Sequence, residues 1–213
     1  AQHHKQCATR QTGPMVQATD ASWHAVWDAP RPHVHPLRTP SGAVLSAEAP
    51  ADHPWHHALW STIKYVNGEN FWEEYDEFGL LRTTGVERSE GPDGRIEAAS
   101  IEWDRPNDAG VVIDERRTLS HVALDAEAYA IDWLVELRPR TDVTLDRTPY
   151  TTWGGYGGLT LRGAPDWTDT ALRLADDPAT HEHLRGEAAR WCHLQGEVRH
   201  DGRHGTAGVA ISA

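Results

Sequence analysis

Six histidines fall between Trp23 and Trp60, most of them in two dense motifs, Arg31-Pro32-His33-Val34-His35-Pro36 and Asp52-His53-Pro54-Trp55-His56-His57. Histidine titrates near neutrality and is the commonest metal ligand, so this density marks where chemistry is expected. In an extended segment His33 and His35 project to one side, as a two-histidine chelate or an acid/base pair requires. In the second motif, a helical turn after Asp52 puts His53 and His57 on one face. An extended run aligns His53, Trp55 and His57 instead, so either conformation brings His53 and His57 together. A divalent metal, if one is used, is expected on His35, His53 and His57. No His-Glu-x-x-His or Cys-x-x-Cys pattern accompanies them, and no cofactor is specified by sequence.

Carboxylates come next. Glu73 and Glu74 follow Trp72 at an expected strand end, and by alternation only one can face a cleft. One of them is the candidate general base, with His53, His56 or His57 as the acid that polarises an oxygen. Arg116 and Arg117 fall on opposite faces of a strand, and Arg117 could pin a substrate oxygen bidentately. His33, His35, Trp72, Trp153 and Tyr156 complete the expected substrate-binding set, the aromatics as stacking surface. The glycines of Trp153-Gly154-Gly155-Tyr156-Gly157-Gly158 allow close backbone approach, but no amphipathic helix follows to make a phosphate cradle. There is no Gly-x-Ser-x-Gly elbow, Walker loop or dinucleotide fingerprint.

The elements that must position these residues read as strands. Residues 1–21 are polar and aperiodic, a loose terminus, and His3 and His4 are left out of site arguments. Residues 28–58 form a Pro-dense loop layer with a short strand at Ala43 to Ser46. From Leu59 the texture is short strands: Leu59 to Val66, a hairpin turn at Asn67-Gly68, Asn70 to Glu74, Leu80 to Ser89, Arg95 to Trp103, Val111 to Val122, Tyr129 to Arg138 and Asp142 to Arg147. In the Tyr129 segment, Ile131, Trp133, Val135 and Leu137 alternate with Asp132 and Glu136, which is the period of a half-buried strand. Leu159 to Arg162, Ala171 to Ala175 and Glu197 to His200 continue the pattern. No long 3.6-residue stripe occurs, so residues 22–213 are expected to form a single all-β unit, an antiparallel β-sandwich. The closing Gly208 to Ala213 reads as a strand being entered, so a truncated C-terminus is expected.

Composition excludes several classes. The formal charge is -12, from 20 basic and 32 acidic residues, with no basic cluster for nucleic acid. Mean hydropathy is -0.62, and no run approaches the roughly 20 apolar residues of a membrane span. Cys7 and Cys192 stand far apart and read as free thiols of a reducing compartment, so the cytoplasm is the expected location. Ten Trp against two Phe suggest either a core or a sugar-stacking floor.

Four motifs in order resemble those of the soluble bacterial family labelled PmoA, or methane oxygenase PmoA. They are Arg31-Pro32-His33-Val34-His35-Pro36-Leu37, Asp52-His53-Pro54-Trp55-His56-His57, Lys64-Tyr65-Val66-Asn67-Gly68-Glu69-Asn70-Phe71-Trp72-Glu73-Glu74, and Thr148-Pro149-Tyr150-Thr151-Thr152-Trp153-Gly154-Gly155-Tyr156-Gly157-Gly158-Leu159. Arg190-Trp191-Cys192 and Thr206 to Ala210 also fit. The resemblance implies a β-sandwich of the galactose-mutarotase type and a functional link to sugar-oxidising dehydrogenases, and it carries no catalytic residue across. Its label implies a copper methane monooxygenase subunit, an integral membrane protein, which this chain's composition does not match. The leading expectation is therefore an enzyme acting on a sugar or keto-sugar by acid/base proton transfer, of epimerase, lyase or hydratase type. The alternative is a non-catalytic carbohydrate-binding module, and oxygen chemistry at a histidine-bound metal comes third.

Overall fold

The computed structural model describes residues 22–92, 94–148, 156–175, 177–181, 186 and 188–212. Along the chain run the strands β1 (Trp23–Val26), β2 (His33–Leu37), β3 (Leu59–Ile63), β4 (Tyr65–Val66), β5 (Glu69–Asn70), β6 (Leu80–Gly91), β7 (Gly94–Asp104), β8 (Val111–Ala123), β9 (Tyr129–Pro139), β10 (Leu145–Asp146), β11 (Gly157–Leu161), β12 (Thr168–Leu174), β13 (Asp177–His181), β14 (Trp191–His200) and β15 (Arg203–Ser212). Every ladder between them is antiparallel. A single 3-10 turn, Pro106–Asp108, is the one helical element among the described residues. The architecture is all-β, as the alternation of apolar and polar residues predicts. No helix among these residues is long and apolar enough to cross a membrane.

The strands form a meander in the order β6-β7-β8-β9, a second sheet β1-β2-β3-β11, a small sheet β10-β4-β5, and a C-terminal sheet β13-β12-β14-β15. The core lies between the first two. Leu81, Ala99, Ile101, Trp103, Ile113 and Leu119 from the meander pack against Trp23, Ala25, Val34, Leu37 and Leu59 from the second sheet. Burial on β8 alternates residue by residue, which puts Glu115, Arg117, Leu119 and His121 inward and Arg116 outward, where it meets Glu87. A smaller core of Leu45, Ala164 and Trp167 sits under the C-terminal sheet.

Several expectations change, beginning with β2, which lies inside the expected loop layer, and with Leu59 to Val66, which divides into β3 and β4. Ala43 to Ser46 is not a strand but carries two isolated bridges, Arg38 to Val44 and Ser46 to Gly163. Leu145 and Asp146 alone form the strand expected over Asp142 to Arg147. The Asn67-Gly68 turn is a hairpin as expected, with φ of 53° and 80°, but its second strand stops at Asn70. The Asn70 Oδ1 accepts the Trp72 backbone N–H at 2.8 Å, an Asx-type turn that competes with the ladder. Residues 71–79 are thereby freed to loop back towards β2.

That loop closes tightly. A Cβ built on Gly79 would lie 2.3 Å from the Phe71 ring, and Phe71 is completely buried. Gly79→Ala is expected to cost about 1–3 kcal/mol through overpacking, measured as a lowered urea midpoint with an unchanged slope.

Candidate functional site

Backbone pairing brings the histidine motifs together. His33 of β2 faces Trp60 of β3 in the ladder, and an isolated antiparallel bridge sets Glu48 opposite His57, two residues before β3. Residues next to both members of that bridge are left-handed: Ala49 has φ of 44° and Ala58 φ of 55°. Non-glycine residues in this region store about 1–2 kcal/mol each.

The side chains converge. His33 Nε2 lies 3.0 Å from Glu48 Oε1, His57 Nδ1 lies 3.8 Å from the same oxygen, and the two imidazoles stack with centroids 4.9 Å apart. Each ring is tethered through its other nitrogen. His33 Nδ1–H donates to the Arg31 carbonyl at 2.8 Å, and His57 Nε2 bonds Glu74 Oε1 at 2.7 Å. His33 Nε2 and His57 Nδ1 make no hydrogen bond of their own although both are buried. Burial pushes the His33 imidazole below its ordinary range. Among the described residues, His33, Glu48 and His57 are the only three metal-ligating side chains with ligand atoms all within 4.8 Å of one another.

The expected metal set of His35, His53 and His57 is not assembled. His35 Nδ1 pairs with Ser46 Oγ at 3.0 Å, although Glu48 is near enough to act on its charge. His53 is drawn elsewhere by turn geometry. Successive turns, His53 N–H to the Pro50 carbonyl and His56 N–H to the His53 carbonyl, stack His53 on His56 at 4.6 Å. The segment is thus neither the helix nor the extended run that would align His53 with His57. His53 Nδ1 is held by Asp52 at 2.9 Å, and Arg162 holds Asp52 at 2.6 Å. His53 and Arg162 together keep the Asp52 carboxyl at about 2.

An aromatic wall adjoins these histidines. His56 lies against Trp60 at 5.2 Å and edge-on to Trp72 at 6.2 Å, and Trp72 meets Tyr156 at 4.9 Å. Burial drives the His56 imidazole down to about 4, so it is neutral at physiological pH. Trp55 contacts His53 at 5.7 Å and Tyr75 at 5.8 Å, and Tyr75 is half exposed. Trp72 is only 3% exposed, which makes it a layer beneath His56 rather than a surface for ligand. Trp153 lies outside the described residues.

The two adjacent glutamates have opposite partners. Glu73 is held by Lys64 and, at 2.6 Å, by Asn70 Nδ2. Burial raises its carboxyl, but these two bonds more than offset it, so it stays below the usual carboxylate range. Glu74 turns to His57. Arg31, fully buried, donates to the carbonyls of Pro30, Glu73 and Gly79, and burial lowers its guanidinium to about 10 against the pull of Glu74 and Glu73. It remains charged at neutral pH. Arg117, expected to bind substrate, is sealed at 1% exposure and bonded to Glu115 at 2.6 Å. It clamps the Pro32 and Ser61 carbonyls, so no ligand reaches it.

Sequence reasoning missed Glu48. Its flanking alanines carry no motif, and only the bridge to His57 aligns it with the histidines. A cleft of about 1450 Å³ also opens between β9 and the β14–β15 ribbon, lined by Leu45, Leu59, Ile131, Trp133 and Val209 among others. None of His33, Glu48 or His57 lines it.

Residues 10–212 match the family described as "Family of unknown function (DUF6807)". No curated protein and no solved structure matches the chain.

Proposed function

For a chain that belongs to DUF6807, we propose a carbohydrate-processing enzyme that moves a proton on a sugar or keto-sugar, by epimerisation, elimination or hydration. The observation that carries this reading is the junction of two unlike surfaces. A partly exposed aromatic face, Trp55 with Tyr75, runs into a polar cluster that no core requires. Aromatic faces take the apolar side of a sugar ring, and the polar end takes its hydroxyl or carbonyl oxygens.

The roles follow from exposure and partners. His53, half exposed and oriented by Asp52 through Nδ1, presents Nε2 to accept and return the proton. The Glu48 carboxylate accepts a hydrogen bond from a neighbouring sugar hydroxyl, with Glu74 fixing the His57 ring beside it. The resemblance of the four motifs to the PmoA-labelled family, with its mutarotase-like sandwich, supports the same substrate class.

The test is exchange of sugar C–H protons into deuterated water, followed by NMR with free aldoses, glycosides and their keto forms. Signal loss at one carbon is expected. In His53→Ala the loss should slow about 100-fold or more, the scale of a general acid/base, while Trp55→Ala should chiefly raise KM. Shifted signals without exchange would make the chain a binding module. No shift with any sugar would remove carbohydrate altogether.

A further inference from the structure

The His33, Glu48 and His57 cluster has an unresolved electrostatic problem. His33 Nδ1 faces a carbonyl oxygen, which can only accept, so that nitrogen carries the proton and Nε2 presents a lone pair. His57 Nε2 faces the Glu74 carboxylate, so Nδ1 likewise presents a lone pair. Both nitrogens lie close to one oxygen of the Glu48 carboxylate, at 3.0 and 3.8 Å. Three electron-rich atoms rest there only with a proton or a metal cation shared among them. No Lys or Arg fills that place: among the described residues the ion-pair partners of Glu48 are these two histidines alone. Nearby, three carboxylates (Glu48, Glu73, Glu74) stand against two cations (Arg31, Lys64).

We propose that His33 Nε2, His57 Nδ1 and the Glu48 carboxylate bind one divalent cation of the zinc(II) or iron(II) class, with coordination positions left open towards solvent. The donor set is two imidazoles and one carboxylate, with no sulfur, which suits such cations. Ligand bonds of about 2.1 Å place neighbouring donors roughly 3.0–3.4 Å apart for octahedral or tetrahedral angles. His33 Nε2 already meets that spacing to Glu48 at 3.0 Å, while His57 Nδ1, 3.8 Å from Glu48 in a set spread over up to 4.8 Å, must move inward. Both imidazoles already have the outer partners that metal-bound histidines use, a backbone carbonyl for one and a carboxylate for the other. The left-handed Ala49 and Ala58 hold strain beside two of the three ligands, where a pre-organised site is built. The cation would polarise the substrate oxygen of the reaction proposed above, but its binding needs no sugar.

The experiment uses the full chain without an affinity tag, stripped with a chelator and titrated with zinc(II), iron(II) and, as a spectroscopic stand-in, cobalt(II). One cation per chain is expected, with cobalt d–d bands and a raised Tm. His33→Ala can fail to fold because His33 is wholly sealed, so the decisive variant is Glu48→Gln, whose side chain is 35% exposed. It should keep its far-UV spectrum and lose affinity about tenfold or more, and Glu74→Gln should lose about 10–100-fold through the outer partner. His53→Ala should bind as the parent does. Substoichiometric binding, a Tm indifferent to metal, or unchanged affinity in Glu48→Gln would overturn the proposal, as would loss of the cation in His53→Ala. Sugar C–H exchange that persists in metal-free protein would remove the cation from the reaction while keeping the carbohydrate reading; stoichiometric metal without any sugar response would keep the cation site and remove the carbohydrate reading.

Discussion

Arg117→Met is expected to destabilise the protein by about 3–5 kcal/mol, the cost of stranding a buried charge whose partner has been removed. Glu115 has no exposure left to relieve it, with its side chain at 0%. Its other oxygen accepts the Trp103 indole N–H at 2.8 Å. The loss approaches the whole stability of an ordinary domain, about 5–15 kcal/mol. Urea unfolding reads it directly, and a loss under about 1 kcal/mol would mean that the pair behaves as a surface ion pair. The double variant Glu115→Gln with Arg117→Met should recover most of the deficit, because the uncompensated charge has gone. Recovery will not be complete. Arg117 also bonds the Pro32 carbonyl before β2 and the Ser61 carbonyl of β3, so it staples the meander to the sheet that carries His33 and whose strand β3 follows His57.

Lys64→Met is the second large effect, and it joins stability to chemistry. Lys64 is 4% exposed and lies 5.2 Å from the Tyr156 ring centroid. Removing its charge leaves the buried Glu73 carboxylate without its cation, at an expected cost of about 3 kcal/mol. The value sits at the low end of the buried range because the Glu73 side chain keeps 20% exposure. Glu73 is the neighbour of Glu74, so a released Glu73 also frees the carboxylate that fixes His57. The variant should therefore melt earlier and lose cation affinity or turnover, and Lys64→Met with Glu73→Gln should restore both in part. A variant that melts earlier while its site parameters stay intact would separate the Lys64 pair from the site.

The meander was legible because its residues obey one rule at a time. From Ile113 along β8, and along β9 to Arg138, the period of two holds, and no proline interrupts it until Pro139. β2 was not legible, because Pro32 and Pro36 argue against a strand. The structure accommodates Pro36 at an irregularity: the β1–β2 register shifts between Trp23 and Ala25, and the β2–β3 register covers only His33 and Val34, so the missing N–H costs no ladder bond. Of the residues singled out by histidine density and the acidic pair, His57, Glu74 and His33 do come together. The choice among histidines depends on what each second nitrogen meets, a fact of tertiary structure. Arg117 and Trp72 misled for the opposite reason. Residue types suited to binding also suit a buried clamp and a stacked inner layer, and only burial tells the two apart.

The unequal exposure of the three proposed ligands has a kinetic meaning. Two imidazoles grip from the sealed side, while one carboxylate stands at the surface, at 35% exposure against 0% for His33. A cation held this way can come and go through the carboxylate's side while the fold stays closed. Chelators should then strip it at a rate independent of urea below the unfolding transition, and a purified sample should carry whichever suitable ion its growth medium supplied.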